Sequence, residues 1–460
     1  MNARTVLTAM LPEHLLLLGI VALLVRDIAA RRVRGALVLS LGAVVAAAVA
    51  ASWLGLAGVQ ATPFPGHYSV TATDLLAKAI VLALAVPVLL LSRDDFADTP
   101  FHVLVLSSLY GTCVLLSADS FLTLLLGLEL MSLPVYVLVL LAMRSPQGAE
   151  AALKYLVLGG TASATLLMGA ALIFGASGSL ATRAFADAIG SGGTLAQAGV
   201  VLVVVAFFVK GAVVPFHTWA PDAYEGASAA VTAYMAAIVK AGILLALVRL
   251  TGSHALVSPL ADLVGILALA SIVWGNIAAI RQASFRRMIA YSSIAHAGYL
   301  VFALLGDPAG RFQAVAFYAI AYGVMNVLAF AALPHRDDDA SEDTLDTLRG
   351  LFARAPYAAV AMAVAMLSLA GIPPLPGFVA KFLVFRNVLA GGHVGYAVLG
   401  LVGSFLGIYF YLRVIQLMFM SGAPAMAGGR ARRMALGASL LCLAPALALC
   451  VLPGWFLDRL

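Results

Sequence analysis

The sequence predicts an all-α integral membrane protein with about fourteen transmembrane helices. Hydrophobic residues make up 63% of the 460 residues and charged residues only 10%, whereas charged residues are about 25% of an average soluble domain. The hydrophobic residues also occur in runs of roughly 18–25 residues, the length of helix that crosses a bilayer. The composition therefore excludes a soluble enzyme. Because most of the basic residues lie in short loops, the net charge of +6 does not indicate a nucleic-acid partner.

Short polar segments separate the candidate spans, so we expect a single polytopic membrane domain over residues 1–460, embedded in the lipid bilayer. The longest polar segment, residues 334–350, lies between the eleventh and twelfth spans and leaves no room for a soluble domain. The candidate spans are approximately 12–28, 35–56, 72–92, 101–118, 120–142, 151–175, 196–214, 228–250, 256–279, 286–305, 311–333, 356–390, 394–420 and 434–456.

Two of these spans are interrupted by proline, and each interruption lies near a lysine. The seventh span is predicted to break at Pro215, after Lys210, and the twelfth at Pro373 and Pro374, before Lys381. Proline lacks a backbone N–H and clashes with the preceding turn. Irregular backbone at membrane depth is tolerated only inside protein or beside a hydrated cavity. Paired interruptions indicate a transporter built from repeats, with its sites at the breaks.

The five lysines all lie in apolar spans, whereas the other 22 basic residues are arginines that lie, except for Arg413, in loops or at span ends. Arginine is effectively always protonated, while a desolvated lysine can lose its proton. A group that must gain and lose a proton inside a membrane can therefore be lysine. The lysines are Lys78, Lys154, Lys210, Lys240 and Lys381.

Glu129, Lys210, Lys240, His296 and Lys381 are the strongest candidates for a proton relay. Glu129 is the one acid predicted deep in a span, and because such a charge is costly there, we expect it to pair with Lys210. The alternative is a pair that only holds helices together. His296 lies in the hydroxyl-rich stretch YSSIAHAGYL and titrates near neutrality, which favours a link between the two lysine regions. The alternative is a hydrogen-bonded packing residue.

The remaining charged residues and the cysteines are less specific. Lys154 is one turn into its span, so both a relay role and snorkelling to the interface stay open, and for Lys78 we expect snorkelling. Arg413 is predicted to be a fixed charge. The acidic cluster is expected to be a solvated loop, with a docking surface as the alternative. The cysteines have no metal or disulfide spacing. The acidic cluster comprises Asp337, Asp338, Asp339, Glu342, Asp343 and Asp346, and the cysteines are Cys113, Cys442 and Cys450.

The distribution of arginine predicts that both termini lie on the outer side of the membrane. With this orientation the inner loops hold 15 arginines and the outer side holds 6, and loops that stay inside are normally richer in basic residues. The inner arginines are Arg26, Arg31, Arg32, Arg34, Arg93, Arg144, Arg281, Arg286, Arg287, Arg336, Arg349, Arg354, Arg430, Arg432 and Arg433. The outer arginines are Arg4, Arg183, Arg249, Arg311, Arg386 and Arg459.

Five motifs in order resemble the antiporter-like membrane subunits of respiratory complex I, a resemblance that extends over about residues 70–420. They are LGLELMSLPVY, EAALKYLVLGGTAS, KGAVVPFHTWAPDAYEGA, YSSIAHAGYL and LSLAGIPPLPGFVAKF. The YEGA turn and Lys154 favour the N-type members over the L and M types, and Lys381 separates the chain from the M type, which has glutamate there. Where the family usually reads GAPTPVT, residues 226–232 read GASAAVT. We therefore expect a more regular start to the eighth span.

The resemblance implies fourteen transmembrane helices with two inverted five-helix repeats, at 101–250 and 256–420, after N-terminal spans within 12–118 and before a C-terminal span at 434–456. It implies a Glu129–Lys210 ion pair, a central axis through Lys240 and His296, and Lys381 as the terminal exchanger. Lys154 would belong to the input side.

The implied function is proton translocation, as a subunit of a proton-pumping NADH:quinone oxidoreductase in the bacterial inner (plasma) membrane. No redox centre is expected in this chain. NAD, FMN, iron–sulfur clusters and quinone would be bound by partner subunits, and the partners would be other antiporter-like and small membrane subunits. The alternative is a subunit of a multi-subunit Na⁺/H⁺ antiporter, and a stand-alone permease is ranked last because the breaks offer few amide side chains.

Overall fold

The structure is a computed structural model that describes residues 3–30, 35–96, 98–142, 146–190, 193–334, 344–420 and 433–460. Within these residues, 12 helices are long and apolar enough to cross a membrane, so the predicted all-α membrane fold is confirmed. Two further predicted spans correspond to the 20-residue helix Leu11–Ala30, which carries three charged side chains, and to a pair of shorter helices at the twelfth span. The total of fourteen spans and the inverted repeats stay predictions.

The N-terminal region contains a β-hairpin that the sequence analysis did not predict. The two strands pair antiparallel, and Gly66 allows the turn between them because it adopts a positive φ of 77°. The next helix begins with a capping box, in which Thr71 and Asp74 each accept the other's backbone N–H. The elements are α1 (Ala3–Ala9), α2 (Leu11–Ala30), α3 (Ala36–Leu56), β1 (Ala61–Phe64), β2 (Tyr68–Val70) and α4 (Ala72–Leu91).

The rest of the described chain is helical. The elements up to the middle of the chain are α5 (Thr99–Leu116), α6 (Phe121–Ala142), α7 (Pro146–Ser177), α8 (Arg183–Gly190), α9 (Thr194–Gly211), α10 (Trp219–Glu225), α11 (Ala229–Tyr234), a π-helical turn (Met235–Val239) and α12 (Lys240–Thr251). After these come α13 (Leu260–Ile280), α14 (Phe285–Phe302), α15 (Pro308–Ala331), α16 (Leu351–Arg354), α17 (Pro356–Ala370), α18 (Pro376–Ala390), α19 (Val394–Met420), α20 (Arg433–Val451) and α21 (Pro453–Leu457). Short 3₁₀ turns are Ser92–Asp94, Ala303–Leu305 and Leu345–Leu348.

Both predicted interruptions are present. α9 ends at Gly211, four residues before Pro215, and α17 ends at Ala370, before the Pro373–Pro374 pair. The eighth span begins as the α-helix Ala229–Tyr234, where Ser228 Oγ accepts the N–H of Val231, and a start more regular than is usual in the family stays a prediction. The π-helical turn then interrupts the span directly before α12, and such turns often occur at functional sites.

The helices differ greatly in how deeply they are buried, and the most buried ones form the core. In the span that contains α11 and α12, every residue of the apolar stretch is buried. In the spans of α14 and α15, 94% of the residues in that stretch are buried. In α3, α7 and α19 the buried share is only 33%, so these helices form the periphery. Close approach of helices depends on small residues: a Cβ at Gly111 in α5 would lie 2.3 Å from the backbone nitrogen of Met131 in α6.

Contacts between connecting segments agree with the predicted alternation of sides. Asp119 N–H donates to His67 O at 2.9 Å, and both residues lie in segments predicted to be outside. Gly350 N–H donates to Leu417 O at 3.0 Å, near the predicted inner side. Which face is the outer one stays a prediction. Several inner arginines used for it, namely Arg31, Arg32, Arg34, Arg144, Arg336, Arg430 and Arg432, lie outside the described residues.

Candidate functional site

Lys210 lies in the last turn of α9, where its ammonium group meets one polar face of α6. The side chain is 1% exposed, and its Nζ lies 3.4 Å from Glu129 Oε1, 3.2 Å from Ser132 Oγ and 3.0 Å from Tyr136 OH. Residues 129, 132 and 136 follow helical spacing, so α6 presents all three side chains together. The C-terminal end of a helix also favours a cation. The predicted contact between Glu129 and Lys210 is confirmed.

The two members of this pair differ in exposure. The Glu129 side chain is 27% exposed, and it accepts a hydrogen bond from Ser163 Oγ on α7. Glu129 thus lies between the buried lysine and the lateral surface of the chain. A charge that approached this surface would act on Glu129 more directly than on Lys210.

Lys240 is the first residue of α12, directly after the π-helical turn, and it is 4% exposed. Its Nζ donates to the carbonyl oxygen and to the Oγ of Ser293 on α14, both at 2.5 Å. Within the described part of the chain it pairs with no carboxylate. Ser293 Oγ also lies 3.1 Å from Tyr224 OH on α10.

His296 lies one turn further along α14, enclosed by tyrosines. Its Nδ1 lies 2.7 Å from Tyr318 OH on α15, and its Nε2 lies 3.1 Å from Tyr411 OH on α19. A neutral imidazole donates through one nitrogen and accepts through the other. The ring can therefore receive a proton on one side and release one on the other. The direct partners are not the neighbours in the YSSIAHAGYL stretch that the sequence analysis emphasised.

Lys381 lies in α18, after the second interruption, and its side chain extends back to the end of α17. Its Nζ donates to Ala370 O at 3.0 Å and to Ser404 Oγ at 3.1 Å, and it lies 4.9 Å from the ring centroid of Tyr299. An ammonium over an aromatic face is attracted by the ring quadrupole.

A small cavity separates His296 from the second interruption. It is lined by Tyr318 and Tyr322 on one side and by Ser368 and Gly377 on the other, with His296 at its wall. Buried cavities that offer several polar groups are the kind that hold water. The cavity is just large enough for about one water molecule, which would lie between the histidine and the first residues of α18.

Helix α14 contacts both Lys240 and Lys381 and carries His296 between these two contacts. Ser293 accepts from Lys240, His296 follows three residues later, and Tyr299 lies another three residues on, under the Lys381 ammonium. This spacing places them along one side of α14. The Lys210 cluster is separate, because no hydrogen bond joins it to the Lys240 cluster in the described parts of the chain.

Lys154 lies apart from this buried row. Its side chain is 45% exposed, and its Nζ forms ion pairs with Glu150 at 2.8 Å and with Asp222 at 2.7 Å. Arg287 Nη1 binds the other oxygen of Asp222 at 2.8 Å. Partial burial alone would raise the pKa of Asp222, but the hydrogen bonds from Lys154 and Arg287 outweigh it and lower that pKa below its ordinary value.

The prediction that Lys78 snorkels to the interface is wrong. Lys78 is fully buried, and its Nζ lies 2.7 Å from Glu13 Oε1 and 3.0 Å from Tyr68 OH. Glu13, in the first turn of α2, is fully buried as well, and this ion pair was not predicted from the sequence. The physical reason is that α2 supplies the counter-charge and the β-hairpin covers the lysine, which removes any need to reach water.

The tyrosines around His296 were not predicted from the sequence. Tyr318, Tyr322 and Asn326 recur every four residues along α15, a polar stripe in an otherwise apolar span. That spacing was a signal that could have identified them. Tyr411, on α19, lies beside Phe410 and had no such signal.

The remaining predictions have mixed outcomes. Asp337, Asp338, Asp339, Glu342 and Asp343 lie outside the described residues, and Asp346 forms an ion pair with Arg349 at 2.7 Å. Arg413 Nη1 donates to Ile280 O and Gln282 O, both at 3.3 Å, near the end of α13. Cys113 and Cys442 are buried and Cys450 is partly buried, and the described residues contain no metal-binding cluster of His, Cys, Asp or Glu.

Comparison with known proteins now gives the family. Residues 118–407 match the model of a family described as NADH:quinone oxidoreductase/Mrp antiporter, transmembrane. The chain belongs to this family. Among its relatives, the NADH-quinone oxidoreductase subunit N of Pelobacter propionicus is 37% identical over 421 residues, which covers 92% of this chain and 90% of the relative. The subunit N of Geobacter metallireducens is 38% identical over 404 residues, or 86% and 84% of the two chains.

Solved structures agree with this assignment. A chain of respiratory complex I from Thermus thermophilus with bound aureothin has a TM-score of 0.84 and 34% identity, and the match covers 97% of this chain and 98% of that one. A chain of the Mrp complex from Dietzia sp. also has a TM-score of 0.84, with 23% identity, 100% coverage of this chain and 96% of that one. The second likeness shows the fold alone. The resemblance to the antiporter-like membrane subunits of complex I, which the sequence motifs indicated, is thus confirmed.

Proposed function

We propose that this chain is the N-type membrane subunit of a bacterial NADH:quinone oxidoreductase and that it moves protons across the plasma membrane. Relatives named subunit N match it over about nine tenths of both chains, and the complex I chain is more similar in sequence than the Mrp chain is. These similarities favour the redox-linked enzyme over the Na⁺/H⁺ antiporter.

The observation that carries the proposal is the buried row along α14. Lys240, His296 and Lys381 each gain and lose protons more readily than arginine could. Ser293 and Tyr299, which belong to the same side of α14, contact the two lysines. In an apolar interior a row of this kind is costly, and proton transfer is the function that explains it.

The Glu129–Lys210 pair is proposed to start each transfer. When a change in a neighbouring subunit draws Glu129 away, the Lys210 ammonium loses its counter-charge and becomes a stronger proton donor. At an effective dielectric constant of about 20, two unit charges about 4 Å apart attract by about 4 kcal/mol. Moving one charge against 100 mV costs about 2.3 kcal/mol, so the pair can supply work of the required size. The proton then passes through Lys240 and His296 towards Lys381 and the outer side.

The electron chemistry is assigned to partner subunits. NAD, FMN, iron–sulfur clusters and quinone would be bound there, and this chain is proposed to carry no redox centre. Its neighbours would be other antiporter-like and small membrane subunits, with both termini on the periplasmic side. Lys154 is proposed to act on the input side, because it lies at the same end of the helices as the inner-side arginines Arg286 and Arg287.

The test is the Lys210→Met variant of the assembled enzyme in inverted membrane vesicles. We expect loss of proton pumping, measured as the initial rate of proton uptake divided by the rate of NADH oxidation. Arg459→Gln, which removes an exposed cation at the C-terminus, serves as the control and should pump normally. Full pumping by an assembled Lys210→Met enzyme would rule the scheme out. Purification without flavin and iron–sulfur subunits would favour the antiporter instead.

A further inference from the structure

The short helix α10 makes contacts beside both lysine clusters. At its start, Trp219 Nε1 donates to the carbonyl of Val209 at 2.8 Å, directly before Lys210 in the chain. The Trp219 ring also stacks on Tyr155, with centroids 4.1 Å apart and planes 2° from parallel. Tyr155 in turn meets the ring of Tyr136, the phenol that accepts from Lys210.

The other end of α10 reaches the Lys240 cluster. Tyr224 is 2% exposed, and its hydroxyl lies 3.1 Å from Ser293 Oγ, which accepts from Lys240 at 2.5 Å. The carbonyl of Tyr224 accepts a hydrogen bond from Thr232 Oγ at 2.9 Å. A displacement of α10 would therefore change the hydrogen bonding at Ser293, the residue that holds Lys240.

The polar face of α10 is clamped from both sides by cations. Asp222 accepts from Lys154 on α7 at 2.7 Å and from Arg287 on α14 at 2.8 Å. Glu225 accepts from the same Arg287 nitrogen at 2.8 Å. These side chains are between 26% and 45% exposed. Single exposed ion pairs contribute little, but this network fixes the position of a helix that is only seven residues long.

We propose that Lys154 is a positioning residue for the relay and not a proton carrier. Its ion pair with Asp222 holds α10 where Tyr224 meets Ser293, and through this contact it sets the environment of Lys240. Lys154 needs only its positive charge for this role. The inference rests on the proposed function, since it assumes that Lys240 carries protons.

A substitution by arginine separates the two roles. Arginine keeps the cation and can bind a carboxylate, but it cannot release a proton at neutral pH. A lysine that positions α10 should therefore tolerate replacement by arginine. A lysine that carries protons should not tolerate this replacement. Lys210→Arg serves as the comparison, because Lys210 is proposed to carry a proton.

The experiment compares Lys154→Arg, Lys154→Met and Lys210→Arg in assembled complex in inverted vesicles, again as proton uptake per NADH oxidised. We expect Lys154→Arg to pump like the wild type. Lys154→Met should pump less by about fivefold or more, the lower end of the coupling between linked sites, and Lys210→Arg should not pump. If Lys154→Met does not assemble, Lys154→Gln takes its place.

Two results would overturn the inference while leaving the proposed function intact. One is that Lys154→Arg pumps as poorly as Lys154→Met while Lys210→Arg is inactive, which would make Lys154 a carrier. The other is that Lys154→Met pumps normally. Normal pumping by Lys210→Arg would instead contradict the proposed function itself.

A double-mutant cycle tests the route through α10. If Lys154 acts through Tyr224, the double variant Lys154→Met/Tyr224→Phe should lose no more pumping than Tyr224→Phe alone. Tyr357→Phe, which removes a hydroxyl that contacts Ser439 on α20, is the control and should leave the Lys154→Met effect unchanged. Losses that multiply in the Tyr224→Phe background would contradict the inference.

Discussion

The two helix breaks share one backbone motif but hold their lysines in different ways. After α9, the N–H groups of Ala212 and Val213 donate to Val209 O at 3.3 Å and Phe208 O at 2.9 Å. After α17, those of Gly371 and Ile372 donate to Ser368 O at 2.9 Å and Leu367 O at 3.1 Å. In each case the first residue of the pair is left-handed, the Schellman pattern of a helix end.

The difference lies in the partner of each amine. Lys210 precedes its break and faces a carboxylate, Glu129, whereas Lys381 follows its break and faces the Ala370 carbonyl and the Ser404 hydroxyl. A charged partner responds to electrostatic changes nearby, while a carbonyl partner moves only with the backbone. The first break is therefore suited to receive a signal, and the second to hold a proton at a site set by the fold.

The largest effect is expected from Glu129→Gln, which makes the first break resemble the second by removing its carboxylate. The pair's attraction of about 4 kcal/mol would be lost, so we expect proton pumping to fall by tenfold or more while the complex still assembles. Proton uptake per NADH oxidised measures this. Ser404→Ala is the matched change at the second break and should have a smaller effect. Equal losses would show that the carboxylate has no special role.

Lys78→Met tests whether any buried glutamate–lysine pair behaves like Glu129–Lys210. The Glu13–Lys78 pair is fully buried and both side chains hydrogen-bond to Tyr68 of the β-hairpin, so we expect an effect on stability and not on the pumping ratio. Breaking a buried pair from one side typically destabilises by about 3–5 kcal/mol. The yield and melting temperature of the complex should fall.

Its control is the double variant Glu13→Leu/Lys78→Met, which removes both charges and should recover most of that loss. A lowered ratio of protons to NADH in an assembled Lys78→Met enzyme would contradict this purely structural role.

Gly371→Ala and Ala212→Gly exchange the residue types at the two left-handed positions. A Cβ at Gly371 would lie 3.0 Å from Lys381 Cδ and 3.2 Å from its Nζ, and a left-handed alanine costs about 1–2 kcal/mol. We expect Gly371→Ala to displace the amine and reduce pumping several-fold. Ala212→Gly should pump normally and melt slightly higher. Unchanged pumping in Gly371→Ala would show that Lys381 does not depend on the shape of its break.

The smallest effect on melting temperature is expected from Asp222→Asn, in the helix α10 that follows the first break. The pKa of Asp222 is lowered in the folded protein, so its ion pairs stabilise the fold above the unfolded pKa of about 3.9 and are lost as the pH falls through the folded value. Asp222→Asn should therefore lower the melting temperature of the purified complex slightly at pH 6. The difference from the wild type should shrink towards pH 3.5. A difference that does not depend on pH would contradict the assignment.

Local signals in the sequence were enough to identify the breaks and most of the buried charges. A proline in an apolar run and a charge that is costly in a bilayer can be recognised without knowledge of the fold, as with Pro215, Lys210 and Lys240. The partners could not be recognised in this way. Glu13 lies 65 residues from Lys78 along the chain, and only packing of α2 against the rest of the N-terminal bundle turns a predicted interfacial lysine into a buried ion pair.

The tertiary environment of His296 was also beyond local signals. Its partners Tyr318 and Tyr411 come from helices that follow it by 22 and 115 residues. The β-hairpin between α3 and α4 and the π-helical turn before Lys240 are likewise set by packing, because neither stretch carries a sequence pattern that distinguishes it from a loop or from a regular helix.

If the buried amines and His296 form one hydrated route, a high-resolution structure of the assembled complex should show ordered water along it. We expect water molecules that join the Lys210 cluster to Ser293 and Lys240, and water in the cavity beside His296 and Ser368. Tightly packed apolar side chains in both places, with no water between the clusters, would contradict this expectation.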